Sequence, residues 1–291
     1  MLKNPGKVLR ELLAEPGILT TPGAYDGISA RLIEQAGFRA AYMSGAGVSA
    51  SVTGQADIGL ITMTEMVTAA RNLSSAINIP IIADADTGYG NPMNVIRTIH
   101  EYELAGVAAV QFEDQVAPKR CGHLSGKEVV PTADFVSKLK AAVNEKYDKD
   151  LVIVARTDAR AIEGFDQAIE RCKRYIETGV DVIFFEAPQS VDEVEKVARI
   201  LGSSVALLSN QVPGGKTPAL TAKELEQMGY KIVIFPSVLN NSAMIQMQNT
   251  LEILKEKGMD SGIIKGGNAM NFFTVMGIDE WLAKGKKYTT L

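Results

Sequence analysis

The sequence predicts an α/β fold of the (β/α)8 barrel type, on three observations. Eight short apolar runs recur along the 291 residues, amphipathic segments separate them, and most of the runs end in polar or charged residues. In chain order the runs are ILTTPG (18–23), AAYMSG (40–45), IPIIADAD (79–86), VAAVQFED (107–114), LVIVARTDA (151–159), DVIFFEAP (181–188), VALLSNQ (205–211) and KIVIFPS (231–237). They are continuous rather than alternating, as parallel strands buried on both faces require. Segments such as NPMNVIRTIHEYELAG (91–106), GFDQAIERCKRYIETG (164–179) and SVDEVEKVARILG (190–202) have helical spacing and end in Gly, a common helix terminus. A doubly wound open sheet is the alternative for the same pattern. Eight strand–helix units at this length favour the closed barrel.

No linker or second core interrupts the pattern, so 1–291 reads as a single barrel domain with 240–291 as a C-terminal helical extension. The stretches NNSAMIQMQNTLEILKEKG and AMNFFTVMGIDEWLAKG supply two or three further helices. Trp281 and the Phe272–Phe273 pair lie there, at spacings that suit capping the barrel or packing on another subunit; core burial is the simpler expectation for each.

The chain is 46% hydrophobic and 22% charged, ordinary for a globular protein with a substantial core. Its net charge of −4 is a poor electrostatic footprint for nucleic acid, and the short Lys-Gly-Lys-Lys run at 284–287 reads as a solvated tail. The N-terminal stretch MLKNPGKVLRELLAEPG has no continuous apolar segment of the signal-peptide kind. No 18-residue apolar stretch suggests a membrane span. With 2 Cys there is no disulfide framework, and a cytoplasmic location is expected.

In a barrel of this type the functional groups belong at the C-terminal ends of the strands. The third run ends in Asp84 and Asp86, the fourth in Gln111, Glu113 and Asp114. The fifth ends in Arg156 and Asp158, the sixth in Glu186, and the seventh in Asn210. Residues two apart on a strand share a face, so Asp84 with Asp86, Gln111 with Glu113, and Arg156 with Asp158 are expected to project together. Carboxylates crowded at one mouth repel unless a cation sits among them. Oxygen donors without clustered His or Cys point to Mg2+, with Mn2+ as the variant, rather than zinc.

After the fourth run comes KRCGH (119–123), which hangs Lys119, Arg120, Cys121 and His123 over the same face. Zinc held by Cys121 and His123 needs two more ligands, and Cys172 and His100 fall in helical patterns elsewhere. Cys121 is then either a small buried thiol or one activated by its basic neighbours. Charged flanks rich in Gly and Pro favour the second, a thiol able to pass a proton to or from a bound carboxylate.

Together DADTGYG (84–90), FEDQ (112–115), KRCGH, Arg156 and Glu186 resemble the isocitrate lyase and phosphoenolpyruvate mutase superfamily, nearest to its 2-methylisocitrate and 2,3-dimethylmalate lyase branches. The resemblance runs from TPGAYD (21–26) and YMSGAG (42–47) to GGKTP (214–218). It implies a barrel with Mg2+ at its mouth, Asp84 as direct ligand and Asp57, Asp86 and Glu113 around the waters of the metal. It also implies a homotetramer with C-terminal helices swapped between subunits. Tyr42, Ser44, Gly45 and Ala46 would lie at the 2-oxo-acid end of a small carboxylate substrate; relatives commonly carry Gly where this chain has Ala46. The implied reaction cleaves the C2–C3 bond of a 2-hydroxy carboxylate to pyruvate and a second carboxylate. Gly122, His123, Arg156, Glu186 and Asn210 would hold the departing fragment, Cys121 would protonate it, and Lys119 completes the catalytic group.

Several positions bear on the substrate. Gln111 stands where methylisocitrate lyases tend to have His, NQVPGGKTP (210–218) lacks their hydroxyl and bulkier apolar residues, and Asn241 falls near a usual Arg. Fewer cationic partners suit a dicarboxylate such as 2,3-dimethylmalate better than the tricarboxylate 2-methylisocitrate. Oxaloacetate hydrolysis would keep the thiol and stays open, whereas a phosphonate mutase has no need of Cys121.

Overall fold

All eight apolar runs form strands, and the strands pair in parallel in sequence order to close a barrel. The structure is a computed structural model that describes residues 2–122, 126–260, 263 and 268–289. The strands are β1 (Leu19–Ala24), β2 (Ala41–Met43), β3 (Ile81–Asp84), β4 (Ala109–Glu113), β5 (Val152–Thr157), β6 (Val182–Phe185), β7 (Ala206–Asn210) and β8 (Ile232–Phe235). β1 pairs with β2 on one side and with β8 on the other, Thr20 opposite Val233, which rules out the open sheet.

Around the strands run α1 (Pro5–Ala14), α2 (Gly27–Gln35), α3 (Gly45–Thr53), α4 (Met63–Ala76), α5 (Pro92–Ala105), α6 (Thr132–Glu145), α7 (Phe165–Ile176), α8 (Val191–Leu201) and α9 (Ala222–Met228). Their ends are written locally. Thr62 and Glu65 cap the start of α4 reciprocally. Asn91 caps α5 ahead of Pro92, and Gly106 ends that helix in the left-handed region at φ 82°.

Ile82, Val154, Phe184 and Leu208 belong to the buried interior cluster. Because a strand repeats every two residues, Asp84, Arg156, Glu186 and Asn210 are carried on the same inward face, one step closer to the mouth. Leu9 joins the cluster from α1. Arg10 of that helix donates to the Asp150 carbonyl at 2.8 Å and pairs with Asp181, holding α1 against the opposite end of the barrel.

The chain divides into two compact units, Met1–Val238 and Leu239–Leu291. The C-terminal helices are α10 (Val238–Lys257), α11 (Ala269–Val275) and α12 (Ile278–Lys286), and no described residue of these helices is buried. Core burial of the aromatic residues there is therefore wrong: Phe272 is 53% exposed, Phe273 46% and Trp281 66%. These helices do not close a core of their own, so side chains with core-like spacing stay at the surface. Among the described residues no helix is long and apolar enough to cross a membrane.

Candidate active site

A cavity of about 100 Å3 lies at the strand C-terminal ends and gathers most of the residues that the sequence points to. Tyr42, Ser44, Gly45 and Ala46 line it from β2 and the start of α3; Asp84, Arg156, Glu186 and Asn210 come from or just beyond their strands. Asp57, Lys119, Cys121 and Gly122 reach it from loops. His123 lies outside the described residues. Phe184, Val212, Ile234, Pro236 and Ser237 complete the lining. A larger groove of about 660 Å3, lined in part by Ile58, Pro118 and Arg120, contains none of the strand-end acids.

The carboxylates meet in two groups. In the first, the Lys119 ammonium stands 2.6 Å from Asp57 Oδ1 and 2.9 Å from Asp86 Oδ1. Neither oxygen has a hydrogen bond of good geometry, so these are charge contacts. Asp86 does not continue β3. It turns into the left-handed region at φ 48°, and its amide donates to Asp84 Oδ1 at 3.0 Å. It therefore reaches the site through a strained turn rather than along a shared strand face.

In the second group Arg156 lies 3.3 Å from Glu113 Oε2 and 3.9 Å from Glu186 Oε1, with its guanidinium over the Phe184 ring. It also grips Asp158 through Nε at 2.8 Å and Nη2 at 3.0 Å. Tyr42 donates to Gln111 Oε1 at 3.1 Å, linking the floor of the cavity to the Asp84 side.

Burial, then repulsion from Asp86, pushes the Asp84 carboxyl up to about 6. Burial likewise drives Glu113 well above the usual carboxylate range, against the pull of Arg156 and Lys119. For Lys119, burial opposes the charge, but Asp86, Glu113, Asp84 and Asp57 outweigh it and raise its pKa. Asp158 is held at about 2 because Arg156 and Lys127 overcome its burial. Such opposed environments among neighbouring groups at one end of the barrel are a functional-site signature.

The donor set suits a hard divalent cation. Both Glu113 oxygens and the Oδ1 atoms of Asp57 and Asp86 are buried without hydrogen bonds. Among the described residues no three acids converge as a direct ligand cage. Asp57, Asp84, Asp86 and Glu113 are the residues that would hold such a cation.

Two glycines let the backbone approach the acids closely. A Cβ at Gly45 would lie 2.5 Å from Asp84 Oδ2. A Cβ at Gly122 would overlap Glu186 Oε1 and come within 2.5 Å of Arg156 Nη2, so any larger residue would displace the ends of these two side chains.

Asp114 departs from its expected place at the mouth. It alternates outward from Glu113 and accepts from Thr157 Oγ1 at 2.6 Å, Tyr175 Oη at 2.8 Å and the Asp158 amide at 2.9 Å. Asn241 lies on α10, in the other unit. Sequence reasoning missed the apolar wall of Phe184, Val212, Ile234 and Pro236, because nothing in the pattern separates such residues from core.

The phosphoenolpyruvate phosphomutase family model matches residues 9–255. The chain is 45% identical over 261 residues to 2,3-dimethylmalate lyase of Eubacterium barkeri, covering 90% of each chain. It is 42% identical to 2-methylisocitrate lyase of Aeropyrum pernix, covering 96% of this chain and 90% of the relative. Among solved structures, oxaloacetate acetylhydrolase in complex with the inhibitor 3,3-difluorooxalacetate superposes with a TM-score of 0.94 at 34% identity, over 99% of each chain. A full-length match in sequence and a barrel with its acids at the mouth lead to one conclusion: this chain is an enzyme of the phosphoenolpyruvate mutase and isocitrate lyase superfamily.

Proposed function

We propose that the enzyme is a Mg2+-dependent carbon–carbon lyase that cleaves 2,3-dimethylmalate to pyruvate and propionate. One observation carries the substrate choice. Among the described residues that line the cavity the cations are Lys119 and Arg156, while the wall of Phe184, Val212, Ile234 and Pro236 is apolar. That wall accommodates methyl groups, whereas a third carboxylate would be desolvated there without a partner.

The roles follow from the positions. The amides of Gly45 and Ala46, at the start of α3, hold the carboxylate beside the reacting hydroxyl. Arg156 holds the carboxylate at the far end. When bound, Mg2+ supplies Lewis-acid stabilisation of the developing oxygen charge, with Asp84 as the direct ligand and Asp57, Asp86 and Glu113 around it. A general base takes the hydroxyl proton, the C2 carbonyl forms as the C2–C3 bond breaks, and the electron pair is left on C3. The Cys121 thiol returns a proton to C3, and the loop carrying it keeps bulk water from that carbon. The exposed apolar side chains of α10–α12 support self-association, which we propose takes the form of a homotetramer.

The test is pyruvate release, followed by a coupled dehydrogenase, with Mg2+ and each acid in turn. The expected kcat/KM is about tenfold or more higher for 2,3-dimethylmalate than for 2-methylisocitrate, the discrimination that one unpaired buried charge imposes. Pyruvate from the tricarboxylate alone contradicts the substrate assignment. The fold match to oxaloacetate acetylhydrolase supports a second reading, and oxalate formed from oxaloacetate without pyruvate from either acid would establish it.

A further inference from the structure

Lys127 lies just past the KRCGH loop, and its side chain is 2% exposed. Its ammonium donates at 2.6 Å to the Gly122 carbonyl and at 2.6 Å to Asp158 Oδ1. Asp158 is itself fully buried and grips Arg156 through both of its oxygens. A continuous buried line thus runs from the residue after Cys121, through Lys127 and Asp158, to Arg156.

Two physical consequences follow. The Arg156 guanidinium faces Asp158, Glu113 and Glu186, three carboxylates against one cation. By sharing Asp158, Lys127 supplies a second positive charge and leaves Arg156 better able to attract an incoming carboxylate. The same ammonium also anchors the loop on the Gly122 side. The other side is tied separately, by paired Gln115–Arg120 hydrogen bonds at 2.8 and 3.0 Å and by the Cys121 amide on the Asp57 carbonyl at 3.1 Å.

We propose that Lys127 is a positioning residue that couples the loop bearing Cys121 to the substrate-binding strength of Arg156, through the Gly122 carbonyl and Asp158. The proposal deepens the lyase reading, on which it rests for the roles of Cys121 and Arg156. Lys127 touches neither substrate nor metal in this account; it acts through two neighbours.

Three full-length variants separate its two functions. Lys127→Met removes both charge and donor, Lys127→Gln keeps a donor without charge, and Lys127→Arg keeps the charge. Alkylation by iodoacetamide is followed peptide by peptide, with buried Cys172 reporting any unfolding. In Lys127→Met, Cys121 alkylates about tenfold faster than in the parent while Cys172 stays protected, and KM for 2,3-dimethylmalate rises about tenfold, more than kcat falls. In Lys127→Gln, KM rises by a similar factor while Cys121 stays near its parental rate. Lys127→Arg restores both. Parental alkylation and KM in Lys127→Met, or a fall in kcat with KM unchanged, overturns the proposal. If Lys127→Met exposes Cys172, the glutamine variant decides, and a parental KM there overturns it. Alkylation needs no substrate, so a parent enzyme that releases no pyruvate would remove the lyase reading without obscuring the loop result.

Discussion

A Cys121→Ser enzyme turns over about 10²–10⁴-fold more slowly than the parent, the usual worth of a positioned proton donor, and binds Mg2+ with unchanged affinity. The reason is chemical rather than architectural. Cys121 lines the same cavity as Gly122, Lys119, Asp84 and Glu186. Serine has nearly the same shape and keeps the backbone tie from residue 121 to the Asp57 carbonyl. Its hydroxyl is a far weaker acid than a thiol, so a carbanion formed at C3 waits for its proton and recombines with pyruvate instead. Asp84 stands on β3, Asp86 on the turn after it and Glu113 on β4, and the substitution leaves them in place. Steady-state kinetics with calorimetric titration of Mg2+ checks both halves. Parental kcat in the serine enzyme removes Cys121 from the mechanism.

Asp114→Ala is expected to cost about 3–5 kcal/mol of folding stability, the price of removing one member of a buried charge network. Total stability of a domain is about 5–15 kcal/mol, so the loss is a large fraction. Thr157, Tyr175 and the Asp158 amide would all be left without their acceptor, and Arg171 would lose a charge partner 3.5 Å away. Asp114 also fixes the backbone on which Asp158 sits, so the urea midpoint and KM should both suffer. A midpoint within experimental error of the parent would show that the network carries no stability.

These two residues mark how far the sequence could be read. The barrel was legible because a doubly buried parallel strand must be a continuous apolar run, and all eight runs became strands. The site was legible where polar groups interrupt such a run, as at Asp84, Arg156, Glu186 and Asn210. Asp114 shows the limit: its acidity marks it as special, but strand parity turns it away from the mouth, into the layer between strand and helix. Asp86 reaches the site through a left-handed turn that strand alternation does not foresee. Lys127 carries no signal at all, since a lysine after a Gly-rich loop normally lies in solvent, and only the fold buries it between Gly122 and Asp158. The aromatic residues of α11 and α12 have core spacing without a core.

The most direct test of the account is the fate of C3. Enzyme, Mg2+ and 2,3-dimethylmalate are combined in D2O and the products read by NMR. Pyruvate and propionate are expected in equal amounts, with a single deuterium at C2 of propionate, because the C2–C3 bond breaks and the new C–H bond takes its proton from an exchanged thiol. Oxalate and acetate from oxaloacetate, with no pyruvate from 2,3-dimethylmalate, would contradict it.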